Sequence, residues 1–130
     1  MNFVKSHNLE NNIYFYDSRN DIKYIYNMFD LYVMSSVSEG LSLAAIEAML
    51  MERICLFSDI GPFKELIVDK ENGYLFETQN IENLSDKLTL ILNLHDNRSK
   101  IGENARISII KKFNYQKMIS EYYNMYKCIN

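Results

Sequence analysis

The segment of residues 35–51 constrains the fold most, because a strand end, a glycine turn and a nearly uncharged helix follow one another in it. The apolar run at residues 31–34 predicts a buried strand, and residues 35–40 predict the turn. Strong helix formers from Leu43 to about Glu52 predict the helix. A strand that passes through a glycine turn into a helix indicates an α/β unit.

Glu47 is the only ionisable residue between Leu41 and Met51. A helix that is apolar on nearly all sides is normally buried, and burying a carboxylate in it costs several kcal/mol unless a partner offsets that cost. We therefore expect Glu47 to be enclosed and paired. The alternative stays open that Glu47 lies on an exposed strip of an otherwise buried helix, behind an ordinary glycine turn.

The start of this helix predicts an anion site. Backbone N–H groups near residues 42–44 have no intrahelical acceptor and carry the positive end of the helix dipole. Gly40 lets the backbone bend or approach a ligand closely, and Ser42 is the predicted N-cap. Glu39 precedes the turn, and roughly 7 Å of axial rise separates Ser42 from Glu47. The two carboxylates are thus placed to hold two parts of one elongated ligand, with a phosphate between them.

Composition excludes several other classes of function. The chain has 130 residues, enough for one domain, and its net charge of -3 gives no broad electrostatic footprint for nucleic acid. Cys55 and Cys128 lack disulfide-like or metal-like spacing, and His7 and His95 are isolated, so we expect no metal site and a reducing compartment. Without a membrane-length apolar run or a signal-peptide pattern, we expect a soluble cytoplasmic protein.

Strand and helix patterns alternate along the chain. They predict strands at residues 13–16, 53–57 and 73–76, and a helix at residues 22–28 capped by Asp21. Gly61-Pro62 begins a short helical turn, and three helices follow, at about residues 81–92, at 98–112 and after Asn114. The fold class is therefore α/β, with a Rossmann-like parallel sheet, flanking helices and ligands outside the carboxyl ends of the strands. The predicted inward or docking faces of the last three helices are Ile81, Leu84, Leu88, Ile91 and Leu92; Ile101, Ala105, Ile109 and Ile110; and Tyr115, Met118, Ile119, Tyr122, Met125 and Tyr126.

The central segment also carries a resemblance to a known family. Ser-Glu-Gly-Leu-Ser-Leu at residues 38–43, followed by Glu-Ala-Met at 47–49, resembles the E-x7-E signature of retaining, nucleotide-sugar-dependent glycosyltransferases of family 4, which have the GT-B fold. The agreement is collinear from about Leu9 to Tyr126. One departure is Glu52-Arg53-Ile54, which stands where the family usually has Gly-x-Pro between helix and strand.

The resemblance implies that residues 1–130 are part of a GT-B C-terminal domain, which binds the sugar donor. It implies retaining transfer of a hexose from a nucleoside diphosphate sugar to a glycan or lipid-linked acceptor, with no metal cofactor. Glu39 would be catalytic and would bind donor sugar hydroxyls, and Glu47 would bind the ribose. The loop after the first strand would form a base pocket with Arg19 and Asp21, although a simple capped turn is the alternative. The backbone amides assigned to the diphosphate or sugar are those of Gly40, Leu41, Ser42 and Leu43.

The resemblance covers only the later part of that domain. Its first two strands, and the Arg and Lys pair that grips the donor diphosphate, have no counterpart here. In the strand order 3-2-1-4-5-6 the missing strands would lie between residues 13–16 and 31–34. Met1 would then be an internal start of a longer protein, or another chain would supply the strands, or the remaining strands would rearrange; we expect the first.

The resemblance also implies which partners the chain has and how active it is alone. The predicted partner is an N-terminal domain in cis or in trans, and the complete enzyme could associate peripherally with a membrane. We expect the chain alone to transfer sugar very slowly or not at all. The rival is a non-catalytic nucleotide-sugar-binding or subunit-interaction module, and a flavodoxin-like protein with an accidental match is a third reading.

Overall fold

The computed structural model describes residues 2–94 and 96–128. Its centre is a parallel sheet of three strands in the order β1 (Leu31–Met34), β2 (Ile54–Ser58) and β3 (Tyr74–Phe76). The strand β2 is buried along its whole length, since a strand flanks it on each side and helices cover its faces. The register pairs Leu31 with Ile54 and Met34 with Phe57, and Leu56 with Tyr74 and Ser58 with Phe76.

Helices surround this sheet, and the last three begin where the sequence predicts. Asn80 and Asn114 cap two of them, with side chains that accept hydrogen bonds from backbone N–H groups of the first turn. The α/β class with a parallel sheet is confirmed. The helices are α1 (Asn2–Ser6), α2 (Ile22–Met28), α3 (Leu43–Leu50), α4 (Gly61–Lys64), α5 (Ile81–Leu92), α6 (Arg98–Lys112) and α7 (Tyr115–Lys127).

Two apolar clusters form the core, one on each face of the sheet. They arise because successive side chains of β2 point to opposite faces. Cys55 and Phe57 join the cluster under α3 and α6, whereas Ile54 and Leu56 join the cluster under α5. The sheet is therefore held rigidly from both sides, and its carboxyl edge is fixed in position.

The connection between α3 and β2 begins with Glu52, a residue in the left-handed backbone conformation that ends the helix. Glu52 has φ 58°, its N–H donates to the Met49 carbonyl, and the next N–H, that of Arg53, donates to Ala48. This pattern is a Schellman motif, whose left-handed residue is usually glycine. The helix α6 packs directly on this turn, because a Cβ at Gly102 would collide with the backbone of Glu52.

The strand predicted at residues 13–16 is wrong. In the described residues this segment belongs to no sheet, and its side chains from Ile13 to Tyr16 are between 40% and 75% exposed. Strand-forming side chains need a pleated, half-buried surface and a backbone partner. The outer edge of β1 has no neighbouring strand among the described residues, so the strands expected between residues 13–16 and β1 are not there to pair with this segment.

Some predicted helix faces are also open to solvent. In α5 only Ile91 is fully buried, and the ends of the predicted stripe, Ile81 and Leu92, are 82% and 60% exposed. Ile110 in α6 is exposed, while its neighbours on the stripe are buried. No residue of α7 is buried. The apolar side of α7 is therefore not part of the core, and it fits the alternative prediction of a docking face.

Candidate functional site

The turn between β1 and α3 lies at the carboxyl edge of the sheet, where the sequence predicts ligand binding. Ser42 caps α3, because its Oγ accepts a hydrogen bond of 3.4 Å from the Ala45 N–H. Its hydroxyl also lies 3.6 Å from the Met34 sulfur at the end of β1. The predicted N-cap is confirmed, and it fixes the start of the helix against the strand.

The backbone N–H groups of residues 40–44 donate no hydrogen bond to any part of the chain that the structure describes. They surround the positive end of the α3 dipole, which favours an anion. A Cβ at Gly40 would meet no atom within 4 Å, and Gly40 does not have a positive φ. The backbone conformation therefore does not require glycine at this position, and open space remains beside the turn.

Glu39 is half-buried and held from the sheet side. The Ser36 hydroxyl donates to Glu39 Oε1 at 2.7 Å. The Ser36 carbonyl in turn accepts a hydrogen bond from the hydroxyl of Ser58, a fully buried residue at the end of β2. Two strand ends thus orient one carboxylate at the carboxyl edge of the sheet, where α/β proteins bind their ligands.

Glu47 is exposed, so the predicted burial of this carboxylate is wrong. The helix α3 buries the face of Ala45, Ala48 and Met49 and turns the opposite strip outward, where Leu43 is 67% exposed. Glu47 follows Leu43 on this strip, one turn later. The expected partner exists and is a phenol: the Tyr26 hydroxyl lies 3.3 Å from Glu47 Oε2.

Tyr26 and Tyr32 lie between the two carboxylates and the core. Burial raises the pKa of Tyr26 strongly, and the charges of Tyr32 and Glu47 add to this rise, so its hydroxyl stays protonated and can donate. Burial also raises the pKa of Tyr32, with smaller contributions from Glu47 and Glu39. Both carboxylates therefore lie within electrostatic range of the same phenol.

Arg19 and Asp21, the predicted base pocket, are not brought into contact with residues 39–47. They form a two-pronged ion pair, with N···O distances of 2.8 and 2.6 Å, that raises the pKa of Arg19 and lowers that of Asp21. Asp21 precedes α2 as predicted but makes no side-chain capping bond. Its φ of -98° and ψ of 29° lie outside the extended region that N-cap residues usually adopt. Both residues line a groove of about 740 Å³ beside α2, the helix that also carries Tyr26.

Asp59 and Thr78 complete the polar edge beyond β2 and β3. Asp59 Oδ1 accepts bonds from the Thr78 hydroxyl at 2.8 Å and the Thr78 N–H at 3.1 Å, and Lys64 lies 3.3 Å from Oδ2. The Thr78 bonds, more than the Lys64 charge, lower the pKa of Asp59. This cluster ties the ends of β2 and β3 together, with a partner on each oxygen of Asp59.

The sequence interpretation missed the supporting residues of the site, which are Tyr26, Ser36 and Ser58. Their contacts join residues 18–22 positions apart in the chain, except the local bond from Ser36 to Glu39. The one sequence signal for them is that Ser36 follows a predicted strand and precedes the acid by three residues, a spacing that permits a local hydrogen bond.

The described ranges contain neither a metal-binding cluster nor a membrane-spanning helix. No group of three or more His, Cys, Asp or Glu side chains in them could hold a metal ion, and His95 lies outside the described residues. Cys55 and Cys128 are both free, and burial raises the pKa of the Cys55 thiol. No described helix is both long and apolar enough to cross a bilayer.

Comparisons with known proteins agree on one family. The family model described as glycosyl transferases group 1 matches residues 2–108. The chain is 31% identical, over 95% of its length, to poly(ribitol-phosphate) alpha-N-acetylglucosaminyltransferase of Staphylococcus aureus, and 26% identical, over 97%, to N-acetyl-alpha-D-glucosaminyl L-malate synthase of Bacillus anthracis. It spans only 25% and 33% of those relatives. Among solved structures, an S. aureus TarM variant in complex with fondaparinux, alpha-GlcNAc-glycerol and UDP has a TM-score of 0.88 and 30% identity, covering 95% of this chain and 25% of that one.

Proposed function

The chain belongs to the group 1 family of glycosyl transferases, and on that premise we propose that residues 39–47 form part of the binding site for a nucleoside diphosphate sugar. The observation that carries the proposal is the set of N–H groups at residues 40–44 that donate to none of the described residues, beside open space at Gly40. A diphosphate offers the charge and the acceptor oxygens that such a group of amides lacks.

The carboxylates on either side of these amides complete the proposed donor site. Glu39, oriented by Ser36, accepts hydrogen bonds from hydroxyls of the donor hexose and is the catalytic residue of our proposal. The amides of Gly40, Leu41, Ser42 and Leu43 bind the diphosphate, and Glu47 accepts from the ribose hydroxyls. The exposure of Glu47 suits this role, since a ligand can reach it. Neither carboxylate has a basic partner among the described residues.

The proposed reaction is retaining transfer of the hexose to a hydroxyl of a glycan or lipid-linked acceptor in the cytoplasm. The departing diphosphate gains negative charge, and preoriented amides at a helix start stabilise such charge without reorganising. No metal is part of the proposal. The chain spans about a quarter to a third of its relatives, and the complete enzyme supplies the acceptor site and further positive charge.

We extend the proposal to the nucleobase. The groove beside α2 has aromatic walls, Tyr16 and Tyr24, and a polar end at Arg19 and Asp21. Aromatic rings stack on bases, and an ion pair can exchange hydrogen bonds with a base edge. Tyr26 on the same helix contacts Glu47, so a nucleotide with its ribose at Glu47 would have its base toward α2.

A thermal-shift series with UDP-, GDP- and ADP-sugars tests the proposed donor site. A ligand at 100 times its dissociation constant adds about 2.7 kcal/mol of stability, which is several degrees for a domain of this size. UDP is the first probe, because a relative of 30% identity binds it. We expect one nucleotide to raise the melting temperature, and Glu47→Ala to abolish the rise. Glu103→Ala, which removes an exposed glutamate from α6, is the matched control.

The second candidate function is a subunit-interaction module, and the open apolar side of α7 favours it. This function predicts no thermal response to any nucleotide sugar and the same melting temperature for Glu47→Ala with or without nucleotide. The same series therefore separates the two candidates.

A further inference from the structure

We infer that Tyr26 is a positioning residue for Glu47, fixing the carboxylate in the orientation that accepts the ribose hydroxyls. The inference rests on the proposed function. Tyr26 lies in α2, is 3% exposed and points its hydroxyl at the outward strip of α3. It is too deeply buried to touch a ligand at the surface, so any effect on binding must pass through the groups it contacts.

The contacts of Tyr26 divide the two oxygens of Glu47 between protein and ligand. The hydroxyl lies 3.3 Å from Glu47 Oε2 and 3.2 Å from the Ala44 carbonyl. The hydroxyl has one proton to donate, and it donates to Glu47 because a carboxylate is a stronger acceptor than a backbone carbonyl. Among the described residues Glu47 Oε1 has no hydrogen-bond partner, which leaves it available to a hydroxyl of the ligand.

An exposed glutamate otherwise samples several rotamers, and ordering a side chain on binding weakens affinity. The Tyr26 bond removes part of that cost before the ligand arrives. The hydroxyl also contacts the carbonyl of Ala44, which follows directly after the amides proposed for the diphosphate. One buried hydroxyl thus sets the position of the carboxylate relative to the helix start.

The experiment compares nucleotides with and without the groups that Glu47 would bind. Dissociation constants for UDP, GDP and ADP and for their 2′,3′-dideoxy analogues are measured by calorimetry on the wild-type chain and on Tyr26→Phe. We expect Tyr26→Phe to raise the dissociation constant of the preferred nucleotide about five- to tenfold, the range for loss of an ordinary hydrogen bond, because 3.3 Å is long for a bond to a carboxylate. The dideoxy analogue should have the same dissociation constant for the wild-type chain and for Tyr26→Phe.

Two controls separate positioning from general damage. Tyr74→Phe removes the hydroxyl of an equally buried tyrosine, 3% exposed, in the other core cluster, and should leave both constants unchanged. At nucleotide concentrations raised to compensate for the weaker binding of Glu47→Ala, adding Tyr26→Phe to that variant should leave its dissociation constants unchanged. If Tyr26→Phe does not fold, 3-fluorotyrosine at position 26 keeps the ring and makes the hydroxyl a stronger donor, which should widen the ratio between the two nucleotides.

The outcomes distinguish the inference from its premise. Equal weakening of both nucleotides by Tyr26→Phe, no weakening of either, or an unchanged ratio with fluorotyrosine would overturn the positioning role. If the wild-type chain binds no nucleotide, or if Glu47→Ala binds as well as wild type, the proposed donor site itself fails.

Discussion

The left-handed backbone conformation of Glu52, at the end of α3, gives a quantitative prediction about stability. We expect Glu52→Gly to be more stable than Glu52→Ala by about 0.5–1 kcal/mol. The left-handed conformation costs a non-glycine residue roughly 1–2 kcal/mol, and glycine loses roughly 0.5–1 kcal/mol of extra backbone entropy on folding. The ion pair with Arg106, at 3.5 Å, is lost in both variants and cancels.

Urea denaturation followed by circular dichroism measures this difference, and the melting temperatures should differ by about 2–4 °C. Glu65 is the matched control, because it is also an exposed glutamate in an ion pair but has φ -76° and ψ -24°. At Glu65 the order should reverse, with alanine above glycine. If alanine is as stable as glycine at position 52, the assignment of strain to this turn is wrong.

Three further predictions follow from the site and the core. Gly40→Ala should leave the melting temperature unchanged or slightly higher but weaken nucleotide binding at least severalfold in calorimetry. Gly61→Ala, also with open space at Cβ, should affect the melting temperature in the same way without changing the affinity. Unaltered affinity in Gly40→Ala would argue against close ligand approach. Cys128 should react with iodoacetamide in the native chain while Cys55 stays unmodified in mass spectra, because burial raises the pKa of the Cys55 thiol. The pKa of Asp59 is lowered on folding, so its contribution to stability is present above its ordinary value of 3.8 and is lost as the pH falls through the lower folded value. In acid titrations the difference in unfolding free energy between wild type and Asp59→Asn should therefore shrink in that range. A constant difference would contradict the assignment.

Local signals in the sequence predicted the three strands of the sheet and the helices around them. Apolar runs over β1 and β2, and asparagines before α5 and α7, act within a few residues and do not need the rest of the chain. The prediction at residues 13–16 failed because strand formation depends on a partner, which composition does not supply. Local patterns therefore fix elements, and pairing decides which of them join the sheet.

The candidate site was predictable only in part, for a related reason. The N-cap at Ser42 follows from short-range chemistry and is confirmed. The environment of Glu47 depends on which face of α3 the neighbours cover, and that depends on contacts with α6 and β2. The same holds for Tyr26, whose bond to Glu47 spans 21 positions in sequence. The ligand roles of Glu39, Glu47, Arg19 and Asp21 stay predictions.

The uncovered side of β1 has a practical consequence for the polypeptide in solution. Its N–H and C=O groups face outward with no strand beside them in the part of the chain described here. Such a border is a template for any extended peptide, including the same strand of another molecule. The purified chain should therefore self-associate as its concentration rises, which sedimentation velocity would detect, and a short β-forming peptide that binds this border should keep it monomeric.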